Sequence, residues 1–392
     1  MKRKLACIAT TLAAAALLAA PAQAADEIRI GFLTTLSGPG GALGTDVRDG
    51  FQLALSHSGN KLGGLPVQLN VVDDQQNPQT GRQNVERFIK RDKVDLITGV
   101  VFSNVLLPVL PQILKSNTVY LSTNTGPRDY AGENCDPNFF AIAWQNEDIP
   151  SAMGKFATEK GYKKIAMIAP NYPGGRESLD GFKRLYKGEI AEEIYTKLGQ
   201  LDYAAELATI RMSKPDAVFF FLPGGMGVNF IKQFDGAGLN RQMALLAPGF
   251  SADEDTIKAV GGAIAGLYNA SQWAADLDNA PNKRFVSDFI STYGRKPSMY
   301  AAQAYDAALL IDSAVKKVGG HIEDGPAFRA ALKAAEFHSI RGDFRFNTNQ
   351  FPIQDLYMRE VFKDADGTVT NRTVGKVLTA HADPFVGECP MK

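Results

Sequence analysis

Histidine is scarce in this chain: four occur among 392 residues. His57, His321, His338 and His381 stand in no zinc-ligand spacing and beside no nucleophile motif, so the sequence presents no metal site and no catalytic constellation. Net charge is absent too, with 42 Lys and Arg against 42 Asp and Glu. Beyond Lys2-Arg3-Lys4 at the very start, no Lys/Arg block or basic stripe is present, which argues against a nucleic-acid footprint. No apolar run after the first twenty residues is long and uninterrupted enough to cross a membrane. Repeats of solenoid period and low-complexity linkers are likewise missing. An exported enzyme whose catalytic groups assemble from distant positions is left without support, and a cofactor is not expected.

What is present begins at the N-terminus. Met1-Lys2-Arg3-Lys4 leads into an uncharged apolar run from Leu5 to Ala20, then Pro21 and the small-residue triplet Ala22-Gln23-Ala24. This is the pattern of a secretory signal peptide (residues 1–24) cleaved after Ala24. A membrane anchor would need roughly 20 apolar residues, more than this alanine-rich run supplies. Cys7 lies far from the cleavage site, so it is badly placed to be a lipidated first residue. The expected mature protein is soluble in the periplasm and carries a charge near −3, because Lys2, Arg3 and Lys4 leave with the leader. Two cysteines survive cleavage, Cys135 and Cys389; an even count in an oxidising compartment favours a disulfide over two separate thiols.

About 370 mature residues exceed what one hydrophobic core organises, so two domains are expected. Short β-branched or apolar runs alternate with helical stretches. Strands are predicted at 28–33, 66–72, 94–101 and 118–122, with helices at 46–55, 80–91 and 104–115. Pro108 and Pro111 weaken the last of these helices. A second series repeats the plan, with helices at 147–160, 176–186, 203–212, 228–237 and 253–260 and strands at 164–169, 191–196, 217–222 and 243–246. A strand at 266–273, helices at 283–293 and 299–318, and a β-rich end through 344–346, 356–361 and 370–378 complete the chain. The rhythm calls for an α/β fold of two Rossmann-like lobes with parallel central sheets joined by a three-segment hinge. The expected division is 25–144 plus 274–345 for one lobe and 145–273 plus 346–392 for the other.

In open α/β sheets ligands bind outside the carboxyl ends of the strands. That rule nominates the loops Ser37 to Gly41, Phe102-Ser103-Asn104, Ser122-Thr123-Asn124-Thr125, Asn171 to Gly175, Pro223-Gly224-Gly225-Met226 and Pro248-Gly249-Phe250. At Ser103 and Asn104, hydroxyl, amide and free backbone N–H groups meet at a helix start and suit a carboxylate, although Ser103 could equally cap its helix. Ser122, Thr123, Asn124 and Thr125 add donors. Ser37 to Gly41 is glycine-rich without the GxGxxG or Walker A spacing, and a plain turn is the alternative. Phe102, Trp144, Tyr172, Phe250, Trp273 and Tyr300 fall near the proposed cleft, where aromatic faces could sandwich a ring; core packing is the competing reading of each. Asp73-Asp74 ends a strand where it could contact a ligand, and capping of the helix that follows is the favoured reading.

Ile30-Gly31-Phe32 with Ser37-Gly38-Pro39, Asp73-Asp74, Gly99 before Ser103, Tyr162 to Ile168 leading into Asn171-Tyr172, Leu201-Asp202-Tyr203 and Lys214-Pro215-Asp216 occur in an order and spacing that together resemble the type I periplasmic binding proteins of the leucine/isoleucine/valine-binding group. The likeness covers essentially the whole mature chain. It implies two hinged lobes that close on a solute, contacts to a carboxylate from the loops of Ser103-Asn104 and Ser122 to Thr125, a further contact region at Tyr172, and delivery to the permease of an ABC importer by a monomer. Where amino-acid binders tend to place an acidic residue for the ligand ammonium, this chain offers Pro248-Gly249-Phe250. A buried ammonium without a partner is costly, so an aromatic acid lacking an amine is favoured. The alternatives are a branched-chain or other amino-acid receptor, or a sensor or chemotaxis adaptor on the same fold.

Overall fold

The computed structural model describes residues 25–391; the expected signal peptide at 1–24 lies outside them. The first sheet is laid down by β1 (Ile28–Thr34), α1 (Gly41–His57), β2 (Lys61–Leu62), β3 (Leu65–Asp73), α2 (Pro78–Arg87), β4 (Leu96–Thr98), α3 (Ser103–Lys115), β5 (Val119–Ser122), α4 (Arg128–Ala131) and β6 (Phe139–Ala141). Its order is β2-β3-β1-β4-β5-β6, parallel throughout except for the β2–β3 hairpin. The central strands are apolar and buried along nearly their whole length, whereas β3, second from the edge, alternates partly exposed residues. That is the signature of a parallel sheet covered on both faces.

The chain then crosses to a second unit: α5 (Asp148–Glu159), β7 (Lys164–Pro170), α6 (Pro173–Leu185), β8 (Glu189–Thr196), α7 (Ala204–Ser213), β9 (Ala217–Phe220), α8 (Gly225–Gly236), β10 (Ala244–Pro248), α9 (Glu254–Val260) and β11 (Tyr268–Ser271). It returns through α10 (Ala280–Tyr293), α11 (Met299–Lys317) and α12 (Gly325–Ala334), of which α10 and α11 pack on α1. Finally β12 (Arg345–Phe346), β13 (Pro352–Lys363) and β14 (Val369–His381) extend the second sheet, ordered β12-β13-β11-β10-β9-β7-β8 with β14 on β13. Strands β7 to β11 run parallel to their neighbours, and β13 joins β11 antiparallel. The two mainly parallel α/β sheets match the expected architecture.

Several boundaries differ, each for a local reason. Helix α3 runs unbroken through Pro108 and Pro111 because Val105, Leu106, Val109, Leu110 and Ile113 are all buried on one side, and tertiary packing outweighs the two missing hydrogen bonds. Helix α1 starts at Gly41, five residues before the predicted start, and α6 starts at Pro173, where a proline lacking an N–H sits without loss at the first helical position. Asp73 and Asp74 do not cap α2. Asn77 does, accepting from the Gln79 and Thr80 N–H groups, while Asp73 accepts from Leu36 N and Asp74 from the Thr35 hydroxyl. The two carboxylates therefore brace the loop after β1.

A buried network fastens the three crossings. Arg341, on the third, donates to Asp306 of α11 at 2.8 Å, to the Ile142 carbonyl of the first crossing at 2.8 Å and to Gln354 at 2.7 Å. Gln354 donates in turn to the Ala143 carbonyl at 2.8 Å, and Asp306 also accepts from the Ser339 hydroxyl and Ile340 N. On the second crossing Gln272 donates to Gln303, which donates to Asn124 at 2.9 Å. Cys135, before β6, is disulfide-bonded to Cys389, with Cα atoms 5.6 Å apart and a sequence separation of 254.

Removing one partner of a buried ion pair leaves the other without compensation, at about 3–5 kcal/mol. Arg341→Ala is expected to lower stability by that amount in denaturant titration. Cys135→Ser with Cys389→Ser should cost about 2–4 kcal/mol, and adding reductant to the native chain should reproduce the loss.

Candidate functional site

Between the two sheets, at the carboxyl ends of their parallel strands, lies a cavity lined by loops of both lobes. From the first lobe its wall takes Val101, Phe102 and Ser103 after β4, Asn124 and Thr125 after β5, and Leu43 of α1. From the second it takes Tyr172 and Gly174 after β7, Phe221 and Pro223 after β9, and Phe250 after β10. Trp144 and Asn146 of the first crossing and Tyr300 of α11 close it. Both sheets reverse their strand order beside these loops, at β1/β4 and at β7/β9, as expected for a ligand crevice.

The wall is a cage of rings. Phe250 lies 5.3 Å from Trp144 and meets Phe221 edge-on at 5.0 Å, Phe221 stacks on Tyr172 at 6.2 Å, and Tyr172 reaches Phe102 at 6.5 Å. Tyr300 is committed elsewhere, donating its hydroxyl to the Phe250 carbonyl. The polar groups gather at the N-terminus of α3. The Thr125 hydroxyl is buried with no hydrogen-bond partner. Ser103 Oγ receives one long contact, from Asn146 Nδ2 at 3.4 Å. A Cβ built on Gly174 would stand 3.1 Å from Ser103 Oγ and 3.0 Å from the Tyr172 hydroxyl, so the two hydroxyls flank this glycine. Burial pushes the Tyr172 phenol well above its ordinary range, keeping it a neutral donor. Among the described residues the wall contains no Asp, Glu, Lys or Arg. Such a site can hold an anion through hydroxyl donors and helix-end N–H groups, and it offers no carboxylate to pair an ammonium.

Of the residues named individually from sequence, Phe102, Ser103, Asn124, Thr125, Trp144, Tyr172, Phe250 and Tyr300 meet in this wall, and six do not. Ser37 is exposed on the loop after β1. Asn104 turns to the Gln76 carbonyl at 3.2 Å. Ser122 donates to the Thr125 carbonyl and so shapes the loop from behind. Thr123 is buried outside the wall. Gly224 has φ 65°, and a Cβ there would come within 2.7 Å of the Pro39 carbonyl; it lets the lobes touch. Trp273 belongs to the core instead: its indole N–H donates to Asn282 at 2.7 Å and its ring meets Phe285 edge-on. Sequence reasoning missed Leu43, Val101, Asn146 and Phe221, whereas Gly174 and Pro223 belong to loops it nominated. Phe221 read as part of the strand 217–222, but β9 ends at Phe220, so Phe221 turns inward.

Residues 27–367 match the family described as periplasmic binding protein. The chain belongs to the periplasmic binding protein family. This periplasmic binding protein is 31% identical to a solute-binding protein of an ABC transporter from R. palustris solved in complex with benzoate, covering 93% of this chain and 100% of that one with a TM-score of 0.88. A solute-binding protein from Rhodopseudomonas palustris BisB5, in complex with 3,4-dihydroxybenzoic acid, is 27% identical over 92% of this chain and 99% of the other, with a TM-score of 0.84. The Leu/Ile/Val-binding protein homolog 6 of Brucella melitensis is 26% identical over 386 residues, 96% of this chain and 98% of that one. The periplasmic binding protein is therefore a solute-binding component and not an enzyme. Among the described residues no helix is long and apolar enough to cross a membrane.

Trp273→Phe, which leaves buried Asn282 Oδ1 without its indole donor, is expected to cost about 1–3 kcal/mol of stability in thermal unfolding.

Proposed function

We propose that this chain is exported, cleaved after Ala24, and serves in the periplasm as the monomeric receptor of an ABC importer, capturing a small aromatic carboxylate between two hinged lobes. The lobes correspond to 25–144 plus 274–345 and 145–273 plus 346–392, and closure presents the surface that the permease reads. The observation that carries the ligand class is the composition of the wall: aromatic rings on several sides, buried hydroxyls of Ser103 and Thr125 at a helix N-terminus, and no carboxylate. A benzoate-type acid places its ring among Trp144, Phe221 and Phe250 and its carboxylate at Ser103, Thr125 and the α3 N-terminus, where the helix dipole favours negative charge. Relatives solved with benzoate and 3,4-dihydroxybenzoic acid agree with this chemistry.

A branched-chain amino acid is the second reading, supported by the relatives named for leucine, isoleucine and valine. Its ammonium would be buried with no charged partner on the wall, at a cost of several kcal/mol. Calorimetric titration separates the two. Benzoate is expected to bind and leucine to give no heat; the reverse pattern rejects the aromatic acid. Ser103→Ala and Thr125→Val should each weaken benzoate about tenfold, the loss of one hydrogen bond to a charged group.

A further inference from the structure

Glu177, on α6, lies outside the cavity wall and yet is tied to it. One of its oxygens, Oε2, accepts from Asn146 Nδ2 at 2.7 Å and from the Arg128 backbone N–H at 3.4 Å. Asn146 belongs to the first crossing and is pinned to the first lobe, where its Oδ1 accepts from Gly126 N at 2.8 Å. The same Nδ2 reaches Ser103 Oγ at 3.4 Å. A carboxylate of the second lobe thus docks on donors held by the first, and the carboxamide between them touches a hydroxyl of the cavity. An Asn146 Nδ2 that donates to Ser103 Oγ occupies a lone pair there and leaves the Ser103 proton free for a ligand oxygen.

We propose that Asn146 and Glu177 are positioning residues: Glu177 fixes the Asn146 carboxamide only when the lobes are closed, and Asn146 then presents the Ser103 hydroxyl as a donor to the bound carboxylate. This relay rests on the carboxylate reading of the cavity. It makes ligand capture and docking of α6 onto the first crossing a single event, because opening the cleft strips Glu177 of both donors.

The surroundings give the relay a readout. Around Glu177 stand Arg128 of α4, whose guanidinium bonds Glu147 and Asp180, Glu147 ahead of α5, Asp129 of α4, and Arg176, Asp180 and Tyr172 from α6 and its approach. Burial outweighs the donors and pushes the Glu177 carboxyl up to about 7. Opening the cleft would expose the carboxyl to water and is expected to lower it toward the ordinary carboxylate value of 4.5. A group whose pKa is raised on closure takes up a proton as the lobes close, so closure is favoured below pH 7 and loses that contribution as pH rises through it. Either protonation state keeps an acceptor oxygen for Asn146.

The test titrates the full mature chain with benzoate at pH 6 and pH 8, alongside Glu177→Gln, Glu177→Ala, Asn146→Ala and the Glu177→Ala/Asn146→Ala double variant, with thermal unfolding to show that each folds. Wild type is expected to bind about tenfold more tightly at pH 6 than at pH 8. Glu177→Gln, which mimics the protonated carboxyl and retains the acceptor, should bind at pH 8 within about threefold of wild type at pH 6 and lose the pH dependence. Glu177→Ala and Asn146→Ala should each cost about tenfold at pH 6, and the double variant no more than either alone, since members of one relay are not additive. Losses that multiply in the double variant, or a Glu177→Ala protein within twofold of wild type, overturn the proposal. Should wild type not bind benzoate, the ligand reading fails, and a second measurement decides the relay: the distance between spin labels at exposed Lys115 and Met212 in the ligand-free chain. A closed population that grows at pH 6 in wild type and not in Glu177→Gln supports the relay, and an unchanged distance in both overturns it.

Discussion

The buried pair of Arg341 and Asp306 is the constraint on which the geometry of this molecule depends. Its guanidinium reaches a helix of the first lobe, a carbonyl of the first crossing and a glutamine of the third. The first and third crossings are thereby held at fixed spacing against α11 where they pass from one lobe to the other. Charges so deeply placed are expensive to desolvate, and an apolar replacement of matching shape would be at least as stable in many proteins. What the ion pair adds is direction: hydrogen bonds to named carbonyls set the relative register of the crossings, which packing of smooth apolar side chains would not. The cavity inherits that register, since Trp144 and Asn146 follow the bonded carbonyls of Ile142 and Ala143 by one to four residues.

From this pivot outward, the two parallel sheets aim the ends of their strands at one another. Every polar wall residue except Asn146 and the tyrosines comes from a loop after β4 or β5, and half of the rings, Tyr172, Phe221 and Phe250, come from loops after β7, β9 and β10. The division of labour is physical. A helix N-terminus with small hydroxyl residues suits the charged end of a ligand, and the facing loops of the other lobe need only be flat and apolar. A ligand with both ends therefore completes a contact between lobes that neither makes alone.

Much of this was legible in the residues. Alternating apolar runs gave the sheets, and the rule that ligands bind beyond strand ends gave Ser103, Thr125, Tyr172 and Phe250. What escaped was side-chain direction at element ends. Phe221 and Leu222 are adjacent and equally apolar; one lines the cavity and the other fills the core of the second lobe, and only the end of β9 at Phe220 separates them. Trp273 failed in the opposite sense: beside a predicted crossing it looked available, but its N–H had already found Asn282. Asn146 sits between Gln145 and Glu147 in a stretch that reads as the polar start of a helix, and nothing in its neighbours marks its carboxamide as shared between two lobes.

The Cys135–Cys389 bridge gains meaning from where it is fastened. The tail after β14 lies against the third crossing, with Asn349 donating both to the Ala131 carbonyl and to Asp383. In a body that opens by rotation, points near the axis travel least and points at the rim travel most. A rigid strap at the axis therefore resists shear and torsion while leaving the swing itself nearly free. The same strap moved toward the mouth of the cleft would act as a lock.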